Sequence, residues 1–235
     1  FGCFNESGKP LIFAATSLSD VLQETAELYQ NKTGEEINFN FAGSYTLVNQ
    51  IKRFNAPADL AIFAGTDPMK KLLDADLVDG SKIRVTVGNR LVIVAKKNKD
   101  PLTKLMDIIS MNGDIAIADP NLAPAGSYAF EALRNNGIYN QLKPRIISTA
   151  NVRAALTSAA IGATDFGITY RTDADREPRV NVIFEIPETL HSKIVYPYAV
   201  VKKEKTSEKT QRFFEFLSSN EAKNIFREHG FTILK

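Results

Sequence analysis

Four short stretches of this 235-residue chain repeat one design. In each, an apolar run ends, a few small or hydroxyl residues follow, and a helical pattern begins. "FAATSLSD" places Thr16 and Ser17 at that turn, and "FAGSYTL" places Gly43 and Ser44. "DPNLAPAGSY" places Ala125, Gly126 and Ser127, and "ISTANVR" sets Ser148, Thr149 and Asn151 ahead of Val152. The first turn of a helix leaves up to four backbone N–H groups without partners, and the aligned peptide dipoles put about half a positive charge there. Such a turn is a natural anion site. Small residues also let the backbone approach a ligand closely. Any one of the four is equally well explained as an ordinary serine or threonine cap. Four together, two from each half of the pattern, can converge on one anion held by neutral donors. Tyr170 ends "DFGITY" on the same edge. It either adds a hydroxyl donor or packs at the rim with its oxygen in water.

Donors without a counter-charge also narrow the anion. A fully deprotonated tetrahedral dianion, such as sulfate or molybdate, offers only acceptor oxygens. A protonated phosphate carries a hydrogen that needs an acceptor, typically a buried carboxylate. Asp20, Asp119 and Asp165 lie near the proposed turns in sequence. Asp20, three residues after Ser17, has the position of a capping partner, and Asp59 in "PADLAIF" that of a strand start. The pattern therefore favours a dianion, and one inward aspartate would reverse it.

Catalytic constellations are missing by comparison. The two histidines, His191 and His229, have no metal-ligand spacing, and the chain lacks CxxC, HExxH, a nucleophile elbow and the glycine-rich phosphate loops. His229 sits near the end of a helix, where a cation suits the dipole; His191 falls in a polar loop and is expected in solvent. The chain is expected not to be an enzyme and to carry neither metal nor cofactor.

The elements that must position these turns alternate strand and helix. "LIFAA" (11–15) is a short buried-type strand, followed by Leu18, Val21, Leu22, Thr25, Ala26 and Tyr29 at helical spacing and a closing Gly34. "INFNF", a helix over 45–54, "DLAIFA" and a helix over 68–75 complete a first unit. The pattern restarts with "RLVIVAK", then "DIAIAD", "RIIST", a helix over 151–160, "DFGITY" and "NVIFEI". "KIVYPYAVVKK" (193–203) is one more strand, interrupted by Pro197, and two amphipathic helices close the chain. Short strand–helix–strand connections imply mostly parallel sheets with helices on both faces. No Ser/Gly/Pro-rich linker separates the units. "VTVGNRLVIV" runs directly from one to the next, which suits two lobes joined by extended crossing strands with a cleft between. The expected division is 1–86 with 198–235 in one lobe and 87–197 in the other.

The charge is nearly balanced, with 29 basic and 27 acidic residues, and no concentrated basic stripe marks a nucleic-acid binder. No apolar run approaches the roughly 20 residues of a membrane span. The single cysteine, Cys3, follows Gly2 ahead of a polar stretch. That arrangement resembles a bacterial lipoprotein cleavage site, although Phe1 is an unusual neighbour. A lipid anchor and an incidental free thiol both stay open.

Taken together, "FAATSLSDVLQE", "FAGSYTLVNQI", "APADLAIFA", "GNRLVIVAKK", "IADPNLAPAGSYAFEAL", "NVRAAL", "FGITYRTDA", "VYPYAVV" and "IFREHGFTI" resemble the molybdate-binding proteins of bacterial ABC importers, members of the type II periplasmic binding proteins. The resemblance spans about Leu11 to Ile233. It implies the two-lobed α/β fold, a hinge of two strands, and an oxyanion held between the lobes with no bound metal or charge partner. By motif it implies ligand contacts from the hydroxyls of Ser17, Ser44 and Tyr170 and from the backbone N–H groups of Ala125 and Val152. Gly43 and Tyr45 stand where the family often has serines, which bears on the size and rim of the pocket. The implied ligand is molybdate or tungstate, with sulfate or another tetrahedral oxyanion as the alternative. The implied partner is the membrane permease of an importer, and the implied location is extracytoplasmic, either periplasmic or lipid-anchored. The chain is expected to act as a monomer without nucleic acid.

Overall fold

A computed structural model describes residues 8–97, 99–204 and 206–234. Cys3, the expected lipidation position, lies outside them. The chain opens with β1 (Leu11–Ala15), a 3₁₀ turn (Thr16–Leu18) and α1 (Ser19–Thr33), followed by β2 (Asn38–Ala42), α2 (Ser44–Phe54), β3 (Leu60–Ile62) and α3 (Thr66–Leu73). Next come β4 (Arg84–Gly88), β5 (Leu91–Lys96), β6 (Ile115–Ala118), α4 (Pro124–Asn135), α5 (Tyr139–Leu142), β7 (Ile146–Thr149), α6 (Val152–Ile161), β8 (Phe166–Tyr170), α7 (Arg171–Ala174) and β9 (Val180–Glu185). The end is β10 (Val195–Val200), α8 (Glu208–Phe216), α9 (Asn220–Glu228) and β11 (Thr232–Ile233).

Two sheets result. The first has the order β11-β4-β10-β3-β1-β2 and the second β7-β6-β8-β5-β9. β2, β1 and β3 are parallel, as are β7, β6 and β8. β10 runs against both β3 and β4, and β5 against both β8 and β9. The reversals have a simple origin. β4 and β9 carry the chain to the edge where the sheets meet, so β5 and β10, which receive it there, must run away from that edge. The crossings fall at 89–90 and 186–194. Val87, Gly88, Val195 and Pro197 pair within the first sheet, a few residues from the 86/87 and 197/198 divisions expected from sequence.

Side-chain alternation explains the layers. In β1, Ile12 and Ala14 face the core under α1, while Phe13 faces the opposite core with Leu47, Ile51 and Met69 of α2 and α3. Val21, Leu22, Thr25, Ala26 and Tyr29 are the buried stripe of α1, and Gly34 ends it in a left-handed cap at φ 74°. Tyr29 of α1 meets Phe213 of α8 edge-on and Phe216 at a tilt, both at 5.2 Å, which fastens α8 to α1; aromatic pairs of this kind are worth about 0.5–1.5 kcal/mol each. Asp59 does hold a strand start, accepting from Leu11 N at 2.7 Å.

Two expectations are corrected. Pro197 does not interrupt its strand: β10 passes through it between β3 and β4, with a register shift between Val195 and Pro197 that accommodates the missing N–H. His191 is not in solvent. It is buried, its ring 5.9 Å from that of Tyr128 and its Nδ1 2.9 Å from Ser192 O, because its loop packs onto α4. His229 is the C-cap of α9 and pairs with Glu24 at 2.7 Å.

Candidate functional site

β1, β2, β6 and β7 end on the side where the two sheets face each other, and each leads through a short loop into a helical turn. These four turns and the end of β8 surround one small cavity. Ser17, Ser44, Ala125, Val152 and Tyr170 all line it, and all five are buried. The tertiary structure thus brings together the five residues implied as contacts by the family motifs, while Gly126, Ser127, Ser148 and Thr149 of the same turns do not line the cavity.

The capping alternative fails at the serines. The N-cap residues of the first three turns are Ala15, Gly43 and Ala123, and none supplies a side-chain cap. Only α6 is capped, by Asn151, which accepts from Ala154 N at 3.0 Å. Ser44 instead accepts from Ala64 N at 3.1 Å. A hydroxyl that accepts from a backbone amide still has its own proton to give. Ser17 Oγ lies 3.1 Å from the Tyr196 hydroxyl.

Two more hydroxyls on the wall, Tyr170 OH and Thr16 Oγ1, are buried without a partner among the described residues. A buried polar group left unpaired costs about 1–3 kcal/mol, which makes orphans on a cavity wall candidate ligand donors. Burial, then the neighbouring Tyr196, holds the Tyr170 phenol well above its usual range, so it stays a donor. Thr16 is absent from the contacts implied by motif. Two consecutive hydroxyl residues at a helical start were the available signal. The first-turn N–H groups of Ser44, Ala125 and Val152 have no protein acceptor among the described residues.

No carboxylate lines the cavity. Asp119 Oδ1 accepts from Asn121 N at 2.8 Å, and Asp165 Oδ2 from Asp114 N at 3.2 Å. Asp20 is not the capping partner its spacing suggests. It pairs with Arg153 of α6 in a two-pronged ion pair at 2.9 and 2.8 Å, and Arg153 Nε donates to Asp173 Oδ1 of α7 at 2.9 Å. The arginine next to Val152 is therefore committed to two acids, and the bridge joins the first sheet's unit to the second's. Tyr45 N, donating to Leu122 O at 3.1 Å, joins them again.

The three charges differ in setting. The hydrogen bonds from Arg153 hold Asp20 below the usual carboxylate range. Asp173 is sealed from solvent, and burial pushes it up to about 7 against the pull of Arg153. Between the ordinary carboxylate value and about 7, the folded chain keeps a proton that the unfolded chain has lost. The stability that Asp173 contributes is thus complete below about pH 4 and is lost as the pH rises through about 7. Asp173→Asn should remove that slope: between about pH 5 and 8 the parent's Tm is expected to fall several degrees more than the variant's. Superimposable pH profiles in scanning calorimetry would exclude Asp173 as the cause.

Residues 10–232 match the family described as bacterial extracellular solute-binding proteins. The chain belongs to that family. Its relatives include the molybdate-binding protein ModA of Escherichia coli, 34% identical over 97% of this chain and 90% of the relative. ModA of Haemophilus influenzae is 33% identical, over 97% and 92%. Among solved structures, the periplasmic molybdate-binding protein of Azotobacter vinelandii superimposes with a TM-score of 0.84 over 96% of this chain and all of that one, at 21% identity, a likeness of fold. The cavity of donors between the two sheets is lined from both units.

Proposed function

We propose that this solute-binding protein captures molybdate, and tungstate equally, outside the cytoplasmic membrane and delivers it to the permease of an ABC importer. The observation that carries the reading is the buried, carboxylate-free cavity lined by hydroxyl and N–H donors. Ser17, Ser44 and Tyr170 give hydroxyl protons to the oxyanion, and Ala125 and Val152 give backbone N–H groups. Thr16 is a sixth donor. The names of the E. coli and H. influenzae relatives support molybdate over other tetrahedral dianions. The units act as lobes that close on the ion, since donors from both are satisfied together only in the closed arrangement. The Arg153 bridge and the Tyr45–Leu122 bond hold that arrangement. The closed monomer then docks on the permease. In this reading Cys3 carries the lipid that keeps the receptor at the membrane, and mass spectrometry of protein from its native membrane tests that part.

Calorimetric titration with molybdate, tungstate, sulfate and phosphate tests the main claim. Molybdate and tungstate are expected to bind tightly, sulfate weakly, and phosphate more weakly still but measurably at high concentration. Tight sulfate binding without a molybdate response would replace the ligand by sulfate. Ser17→Ala and Ser44→Ala are each expected to weaken molybdate binding by roughly 1–3 kcal/mol, from a lost hydrogen bond to a charged group. Parental affinity in both variants would place the ion elsewhere.

A further inference from the structure

Asn89 occupies the first crossing between the sheets and is buried. Its Oδ1 accepts from Arg90 N at 2.9 Å. A backbone N–H can only donate, so this contact fixes which end of the amide is oxygen. The two protons on Nδ2 then have defined acceptors: Thr172 Oγ1 of α7 at 2.9 Å and the Tyr196 hydroxyl of β10 at 3.1 Å. Tyr196 OH therefore accepts from Asn89. Among the described residues its own proton has one acceptor within reach, Ser17 Oγ at 3.1 Å. Tyr196 is fully buried, and burial holds its phenol far above the usual range, so that proton stays in place. The chain of bonds has a direction: Asn89 gives to Tyr196, and Tyr196 gives to Ser17. Ser17 is left with its own proton and no acceptor for it among the described residues, on the wall of the cavity.

We propose that Asn89 is a positioning residue that sets this direction, so that Ser17 can only donate to the bound ion and the site selects oxyanions without a proton of their own. The proposal rests on the oxyanion reading of the cavity and extends it to selectivity. Ser44 is set in the same sense by a backbone N–H, a donor that no side-chain substitution can reverse. Asn89 is the corresponding donor that a substitution can reverse.

Asn89→Asp tests it with nearly the same shape. A carboxylate only accepts, so Tyr196 turns its proton to the new carboxylate, Ser17 gives its proton to Tyr196, and a lone pair faces the cavity. Molybdate affinity is expected to fall about a hundredfold. Hydrogen phosphate, which has a proton to give, is expected to lose much less, so that the molybdate-to-phosphate ratio falls at least tenfold. Thr172→Val also disturbs the Asn89 contacts but leaves the direction intact, and it should keep the parental ratio. An equal loss for both anions in Asn89→Asp would overturn the proposal, since a merely structural or repulsive effect acts on both alike. If Asn89→Asp does not fold, Tyr196→Phe takes its place. It frees the Ser17 hydroxyl to turn, and a ratio unchanged from the parent would again overturn the proposal. A parent that binds none of the oxyanions would remove the cavity reading itself. A parent that binds them, with ratios insensitive to these variants, would remove the role of Asn89 alone.

Discussion

Replacing Gly43 by alanine is expected to weaken oxyanion capture by roughly 5- to 150-fold while leaving the Tm of the ligand-free protein almost unchanged. The backbone at Gly43 lies at φ −62°, ψ 139°, which any residue adopts, so the substitution strains nothing within its own unit. The conflict lies across the cleft. A Cβ at this position would sit 2.4 Å from Leu122 O, 3.1 Å from Leu122 C and 3.2 Å from Ala123 Cβ, all on the loop leading to α4. Two of these atoms are backbone, so no side chain can turn aside. Overpacking of this kind costs about 1–3 kcal/mol, and here the cost falls on closure alone, which corresponds to the stated loss of affinity. The Tyr45–Leu122 bond opens with it. Calorimetric titration gives the affinity, scanning calorimetry the Tm, and small-angle scattering the shape at saturating molybdate, which is expected to stay more open than the parent's. Parental affinity would mean that the two units do not meet here when the ion is bound.

Gly126→Ala is expected to cost both stability and binding. A Cβ there would lie 1.9 Å from Ala118 O and 2.8 Å from Ala118 C and Pro120 N. All of these are backbone atoms of the same unit, at the end of β6 and in the loop after it. The start of α4 must therefore move away from the strand in every state of the protein. Overpacking near the upper end of the usual range, about 3 kcal/mol, corresponds to a Tm loss of roughly 6–12 °C for a chain of this length. The displaced turn carries the N–H of Ala125, so molybdate affinity should also fall by a hundredfold or more. Binding lost with stability at Gly126, and binding lost without it at Gly43, separates a turn that builds one wall from a turn that admits the other. A Gly126→Ala variant that melts and binds like the parent would show that α4 does not need its close approach to β6.

Much of this architecture was legible because its causes are local. Strand–turn–helix connections announce themselves by a change of period from two to 3.6, and they put helix starts at the carboxyl ends of strands whatever the rest of the chain does. The buried stripe of α1 and the bare start of α4 at Pro124, Ala125 and Gly126 followed from spacing and residue size alone. Ser17, Ser44, Ala125, Val152 and Tyr170 could be named as one group only through the resemblance to family motifs, and they line a single cavity. Pro197 and His191 were misjudged for a shared reason. Each has a local preference, against strands for proline and for water in a polar loop, that packing against β3, β4 or α4 overrides.

Partners far apart along the chain were not legible at all. Asp20 and Arg153 are 133 residues apart, and Asn89 and Tyr196 are 107. Nothing in the spacing of either pair distinguishes it from other acids, arginines or amides. Such contacts depend on strand order and register, which bring the first crossing against β10 and the start of α1 against the start of α6. By itself the sequence determined that this protein presents neutral donors at the ends of its strands. Only the tertiary structure decided that those donors face one another, that no carboxylate stands among them, and which groups their hydroxyls meet. A donor belongs to a residue, whereas the direction of a hydrogen bond belongs to the pair that makes it.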